Sequence, residues 1–164
     1  MPARPRPAVE RDGSDSLTLQ SSSLQRDQFS AALTCDSANT SPELHWNAPI
    51  AGVRSFALIL YDRDTPRGGF VHWVLFNLPP QSRALSASLP TQAELPDGTR
   101  QGTNDFDTIG YCGPCPNGTH HYVFMLFALD TMLNSPPGAT RAQLDDAMPG
   151  HVLAHGTLTA THRR

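Results

Sequence analysis

Lysine is absent from this 164-residue chain, and all twelve of its basic residues are arginine. Without lysine the chain cannot form a Schiff base or build the kind of phosphate-binding loop in which a lysine contacts the phosphates. The arginines are scattered along the sequence and the formal net charge is −3, so no basic surface for nucleic acid is expected. The composition therefore excludes several enzyme classes and argues against nucleic-acid binding.

Long apolar segments are also missing. The longest runs, Phe56 to Tyr61 and Tyr122 to Leu129, are far shorter than the roughly 20 residues that a membrane-spanning helix needs. The stretch Met1 to Ser16 is rich in proline, arginine and polar residues, and it lacks the apolar centre of a secretory signal. We therefore expect no transmembrane segment, a disordered lead-in over residues 1–16, and a cytoplasmic location.

Cysteine is scarce, with only Cys35, Cys112 and Cys115 in the chain. An odd number of cysteines without a signal sequence argues against a disulfide framework, so we expect reduced thiols. The Cys112-Gly-Pro-Cys115 spacing also occurs in thioredoxin-type redox sites, but Pro116 to Gly118 prevent the helix that such a site requires. A zinc site is disfavoured because the two adjacent histidines that follow lack the usual spacing. We predict neither a redox pair nor a metal site.

Apolar runs of strand length separated by turn-forming residues dominate the rest of the sequence. Fifteen prolines and twelve glycines fill the connections. Continuous apolar runs are typical of strands buried on both faces. The strand candidates are Ser55 to Tyr61, Val71 to Asn77, His121 to Leu129 and His151 to Thr159, with a weaker one at Leu17 to Leu24. We predict a mainly all-β domain over residues 17–164, an antiparallel β-sandwich of two sheets. Its expected core residues are Phe56, Leu58, Leu60, Trp73, Leu75, Phe124, Leu126 and Val152.

One segment has a convincing helix signature, so we expect one or two short surface helices. Thr140 and Gln143 match a capping box, Leu144 and Met148 are spaced for one helix face, and Gly150 can end the helix. The predicted helix lies between the last two strands.

Two acids and a histidine surround the connection between the first two strong strands. Asp62 and Asp64 follow the first strand, and His72 lies at the start of the second. If these strands are neighbours, a carboxylate can meet and orient the imidazole. Such pairing would raise the imidazole pKa above about 6.5, so that a cationic donor faces a bound anion. The alternative interpretation is a solvated acidic turn beside a core histidine.

A second group of candidates lies in the loop Gly110 to Gly118 and at the start of the strand that follows it. Gly113 and Pro114 lie in the loop, and His120 and Tyr122 lie on the strand. Exposed backbone N–H groups, imidazoles and a phenol together suit phosphate or carboxylate oxygens. A plain hairpin connection is the alternative. A hydrolase triad from Asp62, His72 and a serine or Cys112 can also be drawn, but no G-x-S-x-G turn supports it.

Taken together, these segments resemble the phosphatidylethanolamine-binding protein family, in particular its bacterial branch, which is similar to the Raf kinase inhibitor proteins of animals. The resemblance covers residue 17 to the C-terminus and depends on six motifs in order. They are Ser41-Pro-Glu-Leu-His-Trp46, Asp62-x-Asp64-x-Pro66, His72-Trp-Val-Leu-Phe-Asn77, Gly102-Thr-Asn-Asp-Phe106, Gly110-Tyr-x-Gly-Pro114 and His120-x-Tyr-x-Phe124.

The resemblance implies a β-sandwich with a small pocket that takes phosphate, a phosphoethanolamine-like head group or a carboxylate, without catalysis, cofactor or metal. It also implies a regulated partner protein and a homodimer as further expectations. A hydrolase or transferase using the same Asp/His pocket is the alternative. Carried over by motif, the ligand-binding residues are Asp62, Asp64, His72, Gly113, Pro114, His120 and Tyr122.

The sequence departs from the family pattern near this pocket. Arg63 stands where a proline is usual, which relaxes the turn after Asp62 and adds a positive charge beside the pocket. His121 stands where an arginine is usual. Because successive side chains of a strand point to opposite faces, we expect His121 outside the pocket.

Overall fold

The computed structural model describes residues 17–47, 51–66 and 69–163. The predicted lead-in over residues 1–16 lies outside the described residues. The strands are β1 (Leu19–Gln20), β2 (Leu44–Trp46), β3 (Ser55–Asp62), β4 (Phe70–Leu78), β5 (Ala84–Leu85), β6 (Arg100–Gln101), β7 (Thr119–Leu129) and β8 (Val152–Arg163). One α-helix, α1 (Arg141–Ala147), precedes β8, and a short 3-10 turn covers Ala31–Leu33.

The strands form two antiparallel sheets, as predicted. The small sheet has the order β1-β2-β5, and the large sheet has the order β6-β4-β3-β7-β8. In the large sheet β3 therefore lies between β4 and β7, although β7 follows much later in the chain. Over the part of the chain that is described, no helix is both long and apolar enough to cross a bilayer.

The large sheet is buried on both of its faces. Leu58 and Leu60 of β3 pack towards the small sheet, together with Leu44 and Trp46 of β2. Ile59, which alternates with them, belongs to the cluster on the opposite face. Because both faces are covered, the strands contain continuous apolar runs rather than alternating ones.

Seven of the eight predicted core residues lie between the two sheets: Phe56, Leu58, Leu60, Trp73, Leu75, Phe124 and Leu126. The prediction is wrong for Val152, which is partly buried and packs against the cluster on the other face. The reason is its register, because a shift in the pairing of β7 with β8 places Val152 opposite Leu129, which faces that second cluster.

The N-terminal strand is shorter than expected. Only Leu19–Gln20 of the predicted Leu17 to Leu24 run pairs as a strand. Beyond it, the Ser22 backbone N–H donates to a Glu43 side-chain oxygen at 2.8 Å, and the Ser21 hydroxyl donates to the Glu43 carbonyl. Side-chain hydrogen bonds, rather than strand pairing, therefore hold Ser21 and Ser22 in place.

Helix α1 begins as its sequence predicts. The Gln143 N–H donates to Thr140 Oγ1 at 3.3 Å, and the Thr140 N–H donates to Gln143 Oε1 at 2.9 Å, which completes a capping box. Leu144 and Met148 are buried against the large sheet. The helix thus covers the face of the sheet that the small sheet leaves open.

The cap of α1 gives a stability prediction. Thr140→Ala removes the hydroxyl acceptor of the Gln143 N–H, and we expect the free energy of unfolding to fall by about 1 kcal/mol. Urea unfolding followed by circular dichroism would measure the change. Thr140→Ser, which keeps the hydroxyl, is the matched control. An equal loss in both variants would contradict the role of the hydroxyl.

Candidate ligand-binding site

Three strands of the large sheet bring the candidate residues to one corner. Asp62 is the last residue of β3, and it pairs with Phe70 at the start of β4 and with Tyr122 near the start of β7. Antiparallel neighbours place the end of one strand beside the start of the next. Residues from two distant segments of the chain therefore meet around Asp62.

His72 occupies an irregular position in β4. Trp73 pairs with Leu60 and Val71 pairs with Tyr61, which leaves His72 as the extra residue of a β-bulge. Its ring is buried and makes edge-to-face contacts with three aromatic rings, with centroids 5.3 to 5.4 Å away: Phe70, Phe106 and Tyr122. The bulge thus places the imidazole among aromatic rings.

Two hydrogen bonds connect His72 to the loop that contains Cys112. His72 Nδ1 donates to the Cys112 carbonyl at 2.6 Å, and the Cys112 N–H donates to the His72 carbonyl at 3.1 Å. Burial lowers the pKa of His72, although the Cys112 carbonyl and the Asp62 charge act in the opposite direction. The expected rise in the pKa of this histidine is therefore wrong. With its proton on Nδ1, neutral His72 offers Nε2 as an acceptor.

Asp62 pairs with His120, not with His72. His120 Nδ1 lies 2.5 Å from Asp62 Oδ2, and Asp62 Oδ1 accepts the Asp64 N–H at 2.9 Å. The Asp62 side chain is almost fully buried, and that of His120 is 23% exposed. Burial raises the pKa of Tyr122, and the nearby Asp62 charge adds to this effect. The pairing follows from the sheet order, because β7 lies against β3 and brings His120 to Asp62.

Asp64 and His121 form a separate pair on the exterior. Asp64 Oδ2 accepts hydrogen bonds from the His121 N–H and from His121 Nδ1, each at 2.7 Å. These hydrogen bonds lower the pKa of Asp64. His121 lies outside the pocket, as predicted. Asp64 helps to hold the turn after Asp62 and does not line the cavity.

The corner contains an open cavity of about 180 Å³. Its lining residues are Asp62, Thr65, Phe70, His72, Phe106, Cys115, Pro116, His120 and Tyr122. Four of these were predicted from sequence, and the other five were missed. Phe70 could have been found from strand alternation, because it lies two residues before His72. Phe106 belongs to a motif that carried the resemblance but was not assigned to the pocket.

Gly113 and Pro114 are not among the lining residues; they fasten the loop to the segment that follows the 3-10 turn. The Gly113 N–H donates to Asn39 Oδ1 at 2.7 Å, and the Pro114 carbonyl accepts the Cys35 N–H at 3.2 Å. A Cβ atom on residue 113 would lie 1.9 Å from the Leu33 carbonyl oxygen, so only glycine permits this approach.

The expectation of three reduced cysteines is wrong. Cys35 and Cys115 form a disulfide with Cα atoms 5.5 Å apart, and Cys112 is the free thiol. An odd count leaves at least one cysteine unpaired, but it does not exclude one bond. The two partners are 80 residues apart in sequence, and they meet only because the folded loop lies on the segment after the 3-10 turn.

Comparison with known proteins agrees with this architecture. The model of the phosphatidylethanolamine-binding protein family matches residues 20–163. A UPF0098 protein of Methanothermobacter thermautotrophicus is 45% identical over 140 residues, which are 85% of this chain and 93% of that protein. The UPF0098 protein YbhB of Escherichia coli is 38% identical over 130 residues, covering 76% of this chain and 82% of that protein.

Two solved structures share the fold. A phosphatidylethanolamine-binding protein homologue, CT736 of Chlamydia trachomatis, superposes with a TM-score of 0.81 at 30% identity, covering 92% of this chain and 99% of that chain. Escherichia coli YbcL, described as a member of the mammalian family, gives a TM-score of 0.82 at 28% identity, covering 91% and 99%. The similarity therefore extends over nearly the whole fold.

Proposed function

The chain belongs to the phosphatidylethanolamine-binding protein family, and we propose that its corner cavity binds one small phosphate-bearing ligand, such as free phosphate or a phosphoethanolamine-like monoester, without changing it chemically. The observation that carries this proposal is the convergence of His72, His120 and Tyr122 around one cavity of head-group size. Polar groups at few points of a largely aromatic wall are typical of sites that orient a small ligand.

The hydrogen bonds within the cavity favour a ligand that carries its own proton. Neutral His72 presents an acceptor, and both oxygens of Asp62 already accept hydrogen bonds from the protein. A phosphate monoester has a second pKa near 6, so a substantial share carries one P–O–H group in mildly acidic solution. That group can donate to His72 Nε2, whereas sulfate has no proton to donate.

The absence of catalysis is part of the proposal. Among the described residues that line the cavity, the Cys115 sulfur is bonded to Cys35 and the Thr65 hydroxyl donates to the Asp62 carbonyl at 3.0 Å. Neither is prepared as a nucleophile. One observation favours the alternative of a hydrolase or transferase: a carboxylate on Nδ1 of His120 is the arrangement that orients a general base.

Calorimetry with inorganic phosphate, phosphoethanolamine and sulfate at about pH 6.5 tests the proposal. We expect both phosphates to bind about tenfold more tightly than sulfate, the equivalent of one hydrogen bond of about 1.4 kcal/mol. His120→Ala should weaken phosphate binding, and His155→Ala, on the exposed face of β8, is the matched control. Equal affinity for phosphate and sulfate would contradict the assigned donor and acceptor roles.

The same samples separate binding from catalysis. We expect no turnover of p-nitrophenyl acetate or p-nitrophenyl phosphate above the rate of buffer. Turnover that His120→Ala abolishes would establish the alternative, with His120 as the base. A cytoplasmic location, a homodimer and a regulated partner protein stay predictions; sedimentation of the purified chain tests the second of these.

A further inference from the structure

We propose that the Cys35–Cys115 disulfide is a reversible redox latch on the ligand cavity, and that its reduction by a dithiol weakens ligand binding. This inference rests on the proposed function of the same cavity. It concerns a bond that joins the cavity wall to a different part of the chain.

The latched cysteine is itself part of the cavity wall. Cys115 and Pro116 line the cavity, and Cys112, three residues earlier, provides the carbonyl that accepts the His72 Nδ1 hydrogen bond. The disulfide ties this short segment to Cys35. A movement of this segment would therefore change both the shape of the cavity and the orientation of the His72 ring.

Residues 111–114 have other anchors. Tyr111 is buried in the core and packs on Trp73, and the Cys112 N–H donates to the His72 carbonyl at 3.1 Å. Further hydrogen bonds join the Tyr111 hydroxyl to the Leu33 carbonyl, the Gly113 N–H to Asn39 and the Cys35 N–H to the Pro114 carbonyl. Residues 111–118 form no helix or strand. Residues 115–118 are mostly exposed, so loss of the disulfide lowers the local stability of this end of the loop, where Cys115 and Pro116 line the cavity.

The β-sandwich depends less on the Cys35–Cys115 bond than the cavity wall does. The cluster between the sheets is formed mainly by strand residues such as Leu58, Trp73 and Phe124, which are fully buried. These contacts remain when the disulfide is opened. We therefore expect reduction to loosen the cavity wall while the sandwich persists.

The chemistry requires one dithiol reductant. A thiolate of the dithiol attacks one sulfur of the Cys35–Cys115 bond, and the other cysteine leaves as a thiolate that takes up a proton. The second thiol of the reductant then attacks the mixed disulfide, which releases the first cysteine and oxidises the dithiol to its disulfide. In a reducing compartment, disulfides are usually transient or redox-sensing, so the predicted cytoplasmic location suits a latch.

Calorimetry with inorganic phosphate tests the latch on the oxidised chain and on the chain reduced with dithiothreitol. We expect reduction to weaken phosphate binding about tenfold, as expected for the loss of one hydrogen bond. Cys35→Ser should bind like the reduced chain under both conditions. Cys112→Ser, which retains the disulfide and the backbone carbonyl, should keep the tenfold ratio between its own oxidised and reduced forms.

A readout without ligand separates this inference from the proposed function. The nuclear magnetic resonance titration of the His72 ring should shift on reduction, because its Nδ1 partner, the Cys112 carbonyl, lies three residues before the released Cys115. If phosphate binds neither form but the His72 titration shifts, the proposed function fails, whereas the redox-dependent change of the cavity wall is supported. Equal phosphate affinity with an unmoved His72 titration would overturn the latch. Global unfolding on reduction, seen by circular dichroism, would also overturn it, since the bond would then be a structural crosslink.

Discussion

His72→Ala should weaken sulfate binding, at a pH below the pKa of His72, by roughly 10- to 150-fold, or about 1.5–3 kcal/mol, the range for hydrogen bonds to charged groups. Sulfate brings no proton, so His72 can hydrogen-bond to it only through a donor on Nε2. That donor exists only when the imidazole is cationic, because Nδ1 already uses its proton on the Cys112 carbonyl. Calorimetric titration of the variant and of the native chain measures the difference.

The pH dependence of sulfate affinity follows from the lowered pKa of His72. Burial disfavours the cationic imidazole, so its pKa in the free protein lies below the usual value of about 6.5. Sulfate affinity should therefore be weak and nearly independent of pH above about pH 6.5, and it should rise as the pH falls through the lowered pKa of His72. Sulfate itself keeps its charge over this range. The groups that face or influence the ring are Asp62, Asp105, Cys112, His120 and Tyr122.

The control for this prediction is His155→Ala, which removes an exposed imidazole from β8 and should retain the native pH profile. In His72→Ala the rise at low pH should be largely lost, so the two curves converge at high pH. A native sulfate affinity that stays constant while the His72 ring takes up its proton, followed by nuclear magnetic resonance in the same samples, would refute the role of His72. So would a variant that binds as tightly as the native chain.

The long strands could be predicted from sequence because each is buried on both faces. Ser55–Asp62 and Phe70–Leu78 need apolar side chains at successive positions, and this produces runs that are easily recognised. The short strands could not be predicted. Ala84–Leu85 and Arg100–Gln101 contain two residues each, and their pairing depends on the neighbouring strand rather than on their own composition.

The site was partly predictable for a related reason. Asp62, His72, His120 and Tyr122 lie at strand ends or starts, where antiparallel neighbours bring polar residues together. Which histidine meets Asp62 depends on sheet order, which the sequence does not display. It also depends on the bulge that turns His72 towards the Cys112 loop. The sign of the His72 pKa shift could not be predicted, because the sequence does not show that the ring is buried.

The loop contacts could not be derived from local sequence. Cys35 and Cys115 are far apart in the chain, and the parity of the cysteine count carries no information about which pair lies close together. Gly113 suggested a backbone that approaches a ligand, whereas its missing side chain instead makes room for the Leu33 carbonyl. A glycine predicts a close approach, but the sequence does not identify the approaching group.

Trp73→Ala should lower the free energy of unfolding by roughly 3–5 kcal/mol. Trp73 is fully buried, and its ring packs edge to face on Tyr111 with centroids 5.3 Å apart. Its Nε1–H donates to Gln101 Oε1 at 2.8 Å, while the Gln101 amide nitrogen donates to two backbone carbonyls. Removing the indole therefore opens a cavity and leaves the buried Gln101 oxygen without this donor.

Urea unfolding of Trp73→Ala, Trp73→Phe and Met132→Ala distinguishes these contributions. Trp73→Phe keeps a ring in the core but loses the donor to Gln101, so we expect an intermediate loss of about 1–3 kcal/mol. Met132 is 51% exposed, and its substitution should change the free energy of unfolding by less than about 0.5 kcal/mol. A Trp73→Ala loss no larger than that of Met132→Ala would show that the indole does not pack between the sheets.

Trp73→Ala should weaken phosphate binding as well. The Tyr111 ring packs on this indole, and the Tyr111 hydroxyl donates a hydrogen bond to the Leu33 carbonyl at 2.6 Å.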